Sequence, residues 1–180
     1  HLSNTIDDFR NFFSPNKEIN KFYISELIKK SKDLIKSRFD KFNIKVIENI
    51  DDIEILSYQN ELFQVILNLF SNSIDVLSSS QIENKIIYIK IYHDENNLYI
   101  EFLDNGGGIK DEFINRVFEP YFTTKHKSQG TGIGLYMSLQ IVTKHLNGEI
   151  SVKNDTFIEN NTAYFGAKFT ILLPIHPKNS

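Results

Sequence analysis

The stretch Gln64-Val65-Ile66-Leu67-Asn68-Leu69-Phe70-Ser71-Asn72-Ser73 carries an apolar stripe and two asparagines four residues apart. The apolar residues recur at helical period and predict a long helix over residues 59–77, with an inward face of Leu62, Val65, Ile66, Leu69 and Ile74. Asn68 and Asn72 share another face, with Asp75 three residues further on. Because asparagine is a poor helix former, two on one face indicate a role for their side chains. Amide oxygens suit Mg²⁺; the alternative is a hydrated helix face.

A second polar cluster, Asp104-Asn105-Gly106-Gly107-Gly108, follows a β-branched and aromatic segment predicted as a strand over residues 98–103. A carboxylate at the end of a strand can accept a hydrogen bond from an exocyclic amine. The glycines beside it leave room for a flat ring, because they lack side chains. The alternative is a capped turn in which Asp104 binds its own backbone.

The third cluster, Gly130-Thr131-Gly132-Ile133-Gly134, precedes a helix predicted from Ile133 to about Leu146. Free amides and the helix dipole favour phosphate at such a position, although glycines before a helix also form plain turns. The cluster is not a Walker A loop, because no Gly-Lys-Ser/Thr follows. It is not a dinucleotide-binding fingerprint either, because a loop and not a strand precedes it.

The other periodic segments predict further helices and strands. Along the chain, helices come first, then strands, then helices and strands in alternation. This order predicts an α+β fold, a two-layer α/β sandwich in which a mixed β-sheet has helices packed on one face and a mobile loop beside the third glycine cluster. Ser25 and Ser57 are predicted to cap the two long helices. Besides the elements above, we predict helices over 2–13, 25–39 and 111–117, a loop over 118–131, and strands over 42–46, 53–56, 85–92, 149–153 and 164–173.

Composition limits the classes of function. The chain has 180 residues, 41% of them hydrophobic, a net charge of −3 and no cysteine. These values fit one globular domain and exclude thiol nucleophiles and thiolate zinc sites. Mild acidity argues against a nucleic-acid partner. No apolar run is long enough to span a membrane, and the first residues lack a signal-peptide pattern, so we expect a cytoplasmic domain.

The three clusters in this order resemble the N, G1 and G2 boxes of the catalytic, ATP-binding domain of two-component sensor histidine kinases. The G2 box extends to Leu135, the stretch Val117 to Lys125 is close to the F box, and Gly166 to Pro174 resembles the closing strand motif. The resemblance covers about Phe22 to Pro174. It divides the chain into residues 1–16, similar to the end of a dimerisation helix within which the sequence starts, and a catalytic domain over 17–180.

The resemblance implies ATP and Mg²⁺ as cofactors and gives each matching position a role. Asn72 would bind the Mg²⁺ that bridges the phosphates, supported by Asn68, and Asp104 would hold the adenine amine. Residues 118–125 would form part of a mobile lid, in which Lys125 contacts phosphate. Asn68 and Lys125 would be the catalytic residues, and the other nucleotide-binding positions would be Gly106, Gly108, Phe118, Gly130, Thr131, Gly132, Gly134 and Leu135.

Three positions depart from the family pattern. Ser73 stands where alanine is frequent, and Ala167 stands where a threonine hydroxyl often supports adenine. Asp75 stands where many members carry lysine, which removes a cation for the phosphates. That role would pass to Lys125 or Lys127.

One position distinguishes the two classes of reaction, phosphoryl transfer and ATP hydrolysis, that the resemblance allows. Gyrase-type ATPases share the glycines but place a water-activating glutamate where this chain has Asn68. An amide cannot act as a general base, so Asn68 favours phosphoryl transfer over hydrolysis. The alternatives are a gyrase-like ATPase and a non-catalytic nucleotide-binding module.

The same resemblance implies the partners of the domain. His93 precedes an acidic residue as the family's acceptor does, but a predicted hairpin turn holds it, so we expect the acceptor histidine outside this chain. The expected partners are the protein's own dimerisation domain, in a homodimeric parent, and a response regulator. Any membrane attachment is expected upstream of residue 1.

Overall fold

The computed structural model describes residues 18–125 and 130–177. Five strands form a mixed sheet in the order β2-β4-β5-β7-β6, in which β2 and β4 are parallel and the other neighbours antiparallel. The strands are β2 (Ile44–Ile50), β4 (Lys85–His93), β5 (Asn97–Asp104), β6 (Glu149–Glu159) and β7 (Thr162–Pro174). The predicted hairpin of β4 and β5 is confirmed.

Helices cover one face of this sheet. They are α1 (Ile24–Lys41), α2 (Gln59–Ser78) and α4 (Gly134–Gln140), the last continued by a π-helix over Ile141–His145; α3 (Asp111–Ile114) is a single turn. Phe70 of α2 lies at the centre of the core, with its ring edge-on to Phe39 of α1 at 5.4 Å and to Phe102 of β5 at 5.0 Å. The predicted two-layer architecture is therefore confirmed.

A short strand that the sequence pattern did not predict, β1 (Asn20–Tyr23), pairs antiparallel with β3 (Glu54–Ser57). Its only buried side chain is Phe22, so it has no alternation long enough to read. The prediction that Ser25 caps α1 is wrong, because Tyr23 holds the cap position without a side-chain bond. Ser25 instead donates from its amide and its hydroxyl to Asp52, at 3.0 and 2.6 Å.

The second capping prediction is also wrong. Ser57 ends β3, and Tyr58 precedes the first turn of α2 without a side-chain bond. The helix predicted over residues 133–146 changes to π-type at Ile141, where the Leu146 amide donates to the Ile141 carbonyl at 3.0 Å, five residues back. The helix predicted over 111–117 ends at Ile114.

The β6–β7 hairpin is longer than predicted on both strands. Its two-residue turn is Asn160-Asn161, and both residues have positive φ, 49° and 61°. Such values belong to the tight turn that matches the twist of a hairpin, and asparagine tolerates them. Pairing therefore continues from Glu149 opposite Leu172 out to Glu159 opposite Thr162.

Two further expectations concern the ends and the surroundings of the domain. The helix predicted over residues 2–13 lies outside the described residues. Among the helices of the described ranges, none combines the length and the apolar character that a membrane span requires.

Candidate nucleotide site

A cavity of about 260 Å³ opens between α2, the segment after α3 and the start of α4. It contains most of the side chains that the sequence pattern singled out. The predicted site residues on its wall are Asn68, Asn72, Lys125, Gly130, Thr131, Gly132, Gly134 and Leu135. Ser71, Asp75, Val76, Ile109, Val117, Phe122, Thr123, Thr124 and Phe169 complete the wall.

The polar stripe of α2 forms one side of the cavity. The Asn68 amide nitrogen donates to the Gly134 carbonyl at 3.3 Å and to the Ser138 hydroxyl at 3.2 Å, which ties α2 to α4. The contact between the two helices therefore does not use the amide oxygen of Asn68. Asn72, one turn further along, lies on the cavity wall, and no hydrogen bond joins its amide to another described residue. The two amide oxygens are thus available for a ligand or a cation.

Asp104 lies at the end of β5 and is buried, with 2% of its surface exposed. It does not line the cavity, but a Cβ built at Gly106 would lie within 3.0 Å of both Asp104 Oδ1 and the wall residue Val76. Its Oδ1 accepts the Gly106 amide at 2.9 Å, and it also accepts the Ala167 amide and the Ser73 hydroxyl. Burial raises the pKa of the Asp104 carboxyl to about 6, and these three hydrogen bonds limit the rise.

The loop after Asp104 is held by a residue that the sequence pattern did not predict. The Asn154 side chain of β6 accepts the Ile109 amide and donates to the Ile109 carbonyl, both at 2.8 Å. Gly108 has φ of 82°, and a Cβ built there would lie 2.6 Å from the Asn154 Oδ1. Gly108 is therefore required by this pair of hydrogen bonds, whereas Gly106 bonds Asp104 directly.

Gly132 allows two backbone segments to meet at the other end of the cavity. Its carbonyl accepts the Tyr121 amide at 3.0 Å, and its φ is 69°. A Cβ at this position would lie 2.5 Å from the Tyr121 carbonyl carbon. Tyr121 itself has φ of 63°, so both chains adopt left-handed conformations where they pair.

Gly132→Ala is therefore expected to lower the free energy of unfolding by about 2 kcal/mol or more, from the positive φ and the backbone contact together. Gly134→Ala is the matched control, because the nearest atom to its Cβ would be Asn68 Cγ at 3.9 Å. Urea unfolding followed by circular dichroism measures both. Equal midpoints for Gly132→Ala and the unaltered chain would contradict the assigned contact.

Three charged groups meet at the mouth of the cavity. The Lys125 Nζ lies 2.8 Å from Asp75 Oδ2, and the Arg38 Nη2 lies 2.9 Å from Asp75 Oδ1. Arg38 also donates to the Ser71 hydroxyl at 3.1 Å. Lys125 thus lies beside the α2 stripe, and its cation is paired with the acidic residue that departs from the family pattern.

Phe118 is placed differently from the other predicted site residues. It does not line the cavity; its ring packs edge-on against Phe169 at 6.1 Å, and Phe169 forms part of the wall. Phe118 thus supports the cavity and does not face it.

The histidines of the described ranges lie away from the cavity wall. His93, at the end of β4, has its Nε2 3.3 Å from Asp51 Oδ2. His145 of the π-helix pairs with Glu61 of α2 at 3.0 Å. His176 follows β7, whose last residue Pro174 pairs with Asn97, close to the same end of the sheet as His93. His1 and His126 lie outside the described residues.

Arg38, Ser73 and Asn154 are the contacts that sequence reasoning missed. Arg38 is 37 positions before its acidic partner, and Asn154 is 45 positions after the backbone it binds. Neither distance has a periodic signal. Ser73 could have been found from the sequence. It lies at a buried position of the helix, one residue after Asn72, where a serine hydroxyl needs a hydrogen-bond partner.

Comparison with known proteins agrees with this geometry. The family described as "Histidine kinase-, DNA gyrase B-, and HSP90-like ATPase" matches residues 57–177. Sporulation kinase E of Bacillus subtilis (strain 168) is 31% identical over 155 residues, which are 85% of this chain and 19% of that protein. Signal transduction histidine-protein kinase AtoS of Escherichia coli (strain K12) is 28% identical over 159 residues, 87% of this chain and 24% of that protein. The chain thus spans about a fifth of the length of these curated relatives.

Solved structures show the same fold. The nucleotide-free catalytic domain of histidine kinase ThkA superposes with a TM-score of 0.71 at 25% identity, covering 88% of this chain and 97% of that one. ThkA in complex with the response regulator protein TrrA gives a TM-score of 0.70 at 22% identity, covering 97% of this chain and 48% of that one. The second likeness supports the fold alone.

Proposed function

Because the chain belongs to the histidine kinase-, DNA gyrase B- and HSP90-like ATPase family, we propose that it binds Mg²⁺–ATP and transfers the γ-phosphoryl group to a histidine of a dimerisation domain. One observation carries the proposal: the helix that contributes two asparagines to a cavity also lined by Lys125 and the glycines before α4 bonds the buried carboxylate of Asp104 through Ser73. These groups supply contacts for both ends of a nucleotide.

Asp104 would recognise the base. A carboxylate can only accept hydrogen bonds, so it matches the exocyclic amine of adenine and opposes the carbonyl that guanine has there. Ser73 and the Ala167 amide hold this carboxylate in one orientation. The hydroxyl missing at Ala167 is offset by the hydroxyl of Ser73, which reaches Asp104 from α2.

The α2 stripe and the start of α4 would hold the phosphates. Asn72 fits a divalent cation, because its amide is on the cavity wall and no described residue bonds it. A bound Mg²⁺ would supply charge neutralisation at the phosphates. Asn68 would orient the site, since its nitrogen is fixed on α4, and Lys125 would add positive charge. Backbone amides at Gly132 and Gly134 would donate to phosphate oxygens.

Asn68 favours phosphoryl transfer over hydrolysis. A general base must accept a proton near neutral pH, and the Asn68 amide cannot. Its nitrogen already donates to Gly134 and Ser138, so the residue acts through hydrogen bonds. The histidine acceptor would come from the dimerisation domain of a homodimeric, cytoplasmically facing parent, and a response regulator would receive the phosphoryl group next. The solved complex of histidine kinase ThkA with the response regulator protein TrrA supports such a partner.

Asn72→Ala tests the metal assignment. It is expected to weaken Mg²⁺–ATP binding by about tenfold or more and metal-free ATP binding much less, because the lost oxygen is assigned to the ion. Titration calorimetry with and without Mg²⁺ measures both affinities. Asn60→Ala is the matched control, since Asn60 lies on the exposed side of the same helix. Equal losses with and without Mg²⁺ would contradict the assignment of Asn72.

A further inference from the structure

Two cations from distant parts of the chain share the single carboxylate of Asp75. Arg38 reaches it from α1 and Lys125 from the segment before Gly130, each taking a different oxygen at 2.9 and 2.8 Å. All three side chains are partly buried, with 37%, 33% and 26% of the Arg38, Asp75 and Lys125 side chains exposed. The three charges of the cluster are therefore only partly screened by solvent.

The position of Asp75 makes its charge important. It lines the cavity three residues after Asn72, at the end where the proposed function puts the triphosphate. A lone carboxylate there would repel the phosphates. With Arg38 and Lys125 bound to it, the cluster carries one net positive charge.

Arg38 is suited to this arrangement by its shape. Its planar guanidinium bonds Asp75 with one nitrogen and the Ser71 hydroxyl with another, at 3.1 Å, so it contacts two positions one turn apart on α2. A lysine could supply the charge, but it could not hold both partners from a fixed fork. Arg38 itself does not line the cavity.

We propose that Arg38 is a positioning residue of the nucleotide site. It neutralises Asp75 and fixes the carboxylate that holds Lys125, so that the Lys125 charge remains available to the phosphates. The inference rests on the proposed binding of Mg²⁺–ATP. It predicts that without Arg38 the Asp75 carboxylate cancels the charge of Lys125, and that removing Asp75 as well makes the Lys125 charge available again.

The test uses four variants of this chain and titration calorimetry with Mg²⁺–ATP. Arg38→Gln is expected to weaken binding by about tenfold, because the remaining Lys125–Asp75 pair is neutral and the phosphates lose one net positive charge. The double variant Arg38→Gln with Asp75→Asn is expected to bind within about threefold of Asp75→Asn alone. Lys36→Gln is the matched control, because it removes a cation from α1 whose partner Asp40 is a surface residue. The loss in Arg38→Gln is also expected to shrink as salt is raised.

The outcomes separate the inference from the proposed function. Failure of the unaltered chain to bind Mg²⁺–ATP would refute the proposed function. Normal binding by the unaltered chain and by Arg38→Gln would refute the inference alone. A loss in Arg38→Gln that Asp75→Asn fails to restore would also refute it, because a merely structural tie between α1 and α2 predicts that pattern. Urea unfolding of each variant shows that the compared chains are folded.

Discussion

Asp104→Asn is expected to weaken ATP binding by about a hundredfold, the largest effect of any single substitution at this site. The Oδ1 contact with Gly106 survives, because asparagine keeps one oxygen. The second oxygen becomes an amide nitrogen. That nitrogen cannot accept a hydrogen bond from the adenine amine, so a favourable contact becomes a repulsive one between two donors.

The same substitution is expected to stabilise the unliganded domain above pH 6. The pKa of Asp104 is about 6 in the folded chain, against an ordinary value of 3.8. Between these values the folded state holds a proton that the unfolded state has lost, so this group's contribution to stability falls as pH rises from about 4 to 6. Above pH 6 the full cost of burying the charge applies, about 3 kcal/mol from the shift. Asparagine carries no such cost, although its misplaced amide nitrogen offsets part of the gain.

Both effects, on ATP binding and on stability, are tested by comparing Asp104→Asn with the unaltered chain. Urea unfolding at pH 4 to 8 is expected to show a gap in stability that widens in favour of Asp104→Asn up to pH 6 and then stays constant. ATP and GTP titrations supply the binding half. Ser73→Ala is an intermediate control, because it removes one hydrogen bond to Asp104 and keeps the carboxylate. Unchanged ATP affinity in folded Asp104→Asn would assign Asp104 to the turn alone.

Local patterns predicted the parts of this protein that depend on local geometry. The α2 helix and its polar stripe follow from a period of 3.6 residues. The positions of most strands along the chain follow from alternation and from β-branched and aromatic residues. The resemblance to the family motifs then predicts that the stripe, the strand end and the glycines contact one ligand. The cavity wall contains eight of the predicted site residues, while Asp104, Gly106, Gly108 and Phe118 do not line it.

The misses are contacts over long stretches of chain. Arg38 and Asn154 act on residues 37 and 45 positions away, and only the packing of α1 on α2 and of β6 over the Gly108 loop brings them together. β1 is too short to show alternation, and the sequence has no local pattern that marks the π-type end of the last helix. β6 and β7 are longer than predicted because their turn, Asn160-Asn161, contains no glycine to mark it in the sequence.

The second large effect is expected in phosphoryl transfer. With radiolabelled ATP, the chain is expected to phosphorylate an added dimerisation domain and not itself. His93 is the one histidine followed by an acidic residue. It lies six residues along β4 from Ile87, the residue that pairs with Asp104. Six residues of strand span about 20 Å, so His93 is at the opposite end of the sheet from the proposed adenine contact.

The other described histidines are no better placed, since His145 is paired with Glu61 and His176 is near the His93 end of the sheet. A supplied acceptor must therefore meet Lys125 and the glycines before α4 from outside. Transfer depends on positioning and charge more than on a chemical base, so an untethered acceptor can be phosphorylated. It is expected to react slowly, because a covalent link would raise its effective concentration to the millimolar range.

The assay incubates the chain with radiolabelled ATP and Mg²⁺, alone and with a histidine kinase dimerisation domain that carries an acceptor histidine. Acid-labile label is expected on the added domain only, rising with its concentration, and Asn72→Ala is expected to abolish it. Label on the chain alone, lost in His93→Gln or in His126→Gln, would overturn the view that the acceptor comes from elsewhere. ATP binding without label on any added domain would favour the non-catalytic module. Release of inorganic phosphate at a comparable rate would favour the gyrase-like ATPase, and would mean that another group performs the proton abstraction that Asn68 cannot.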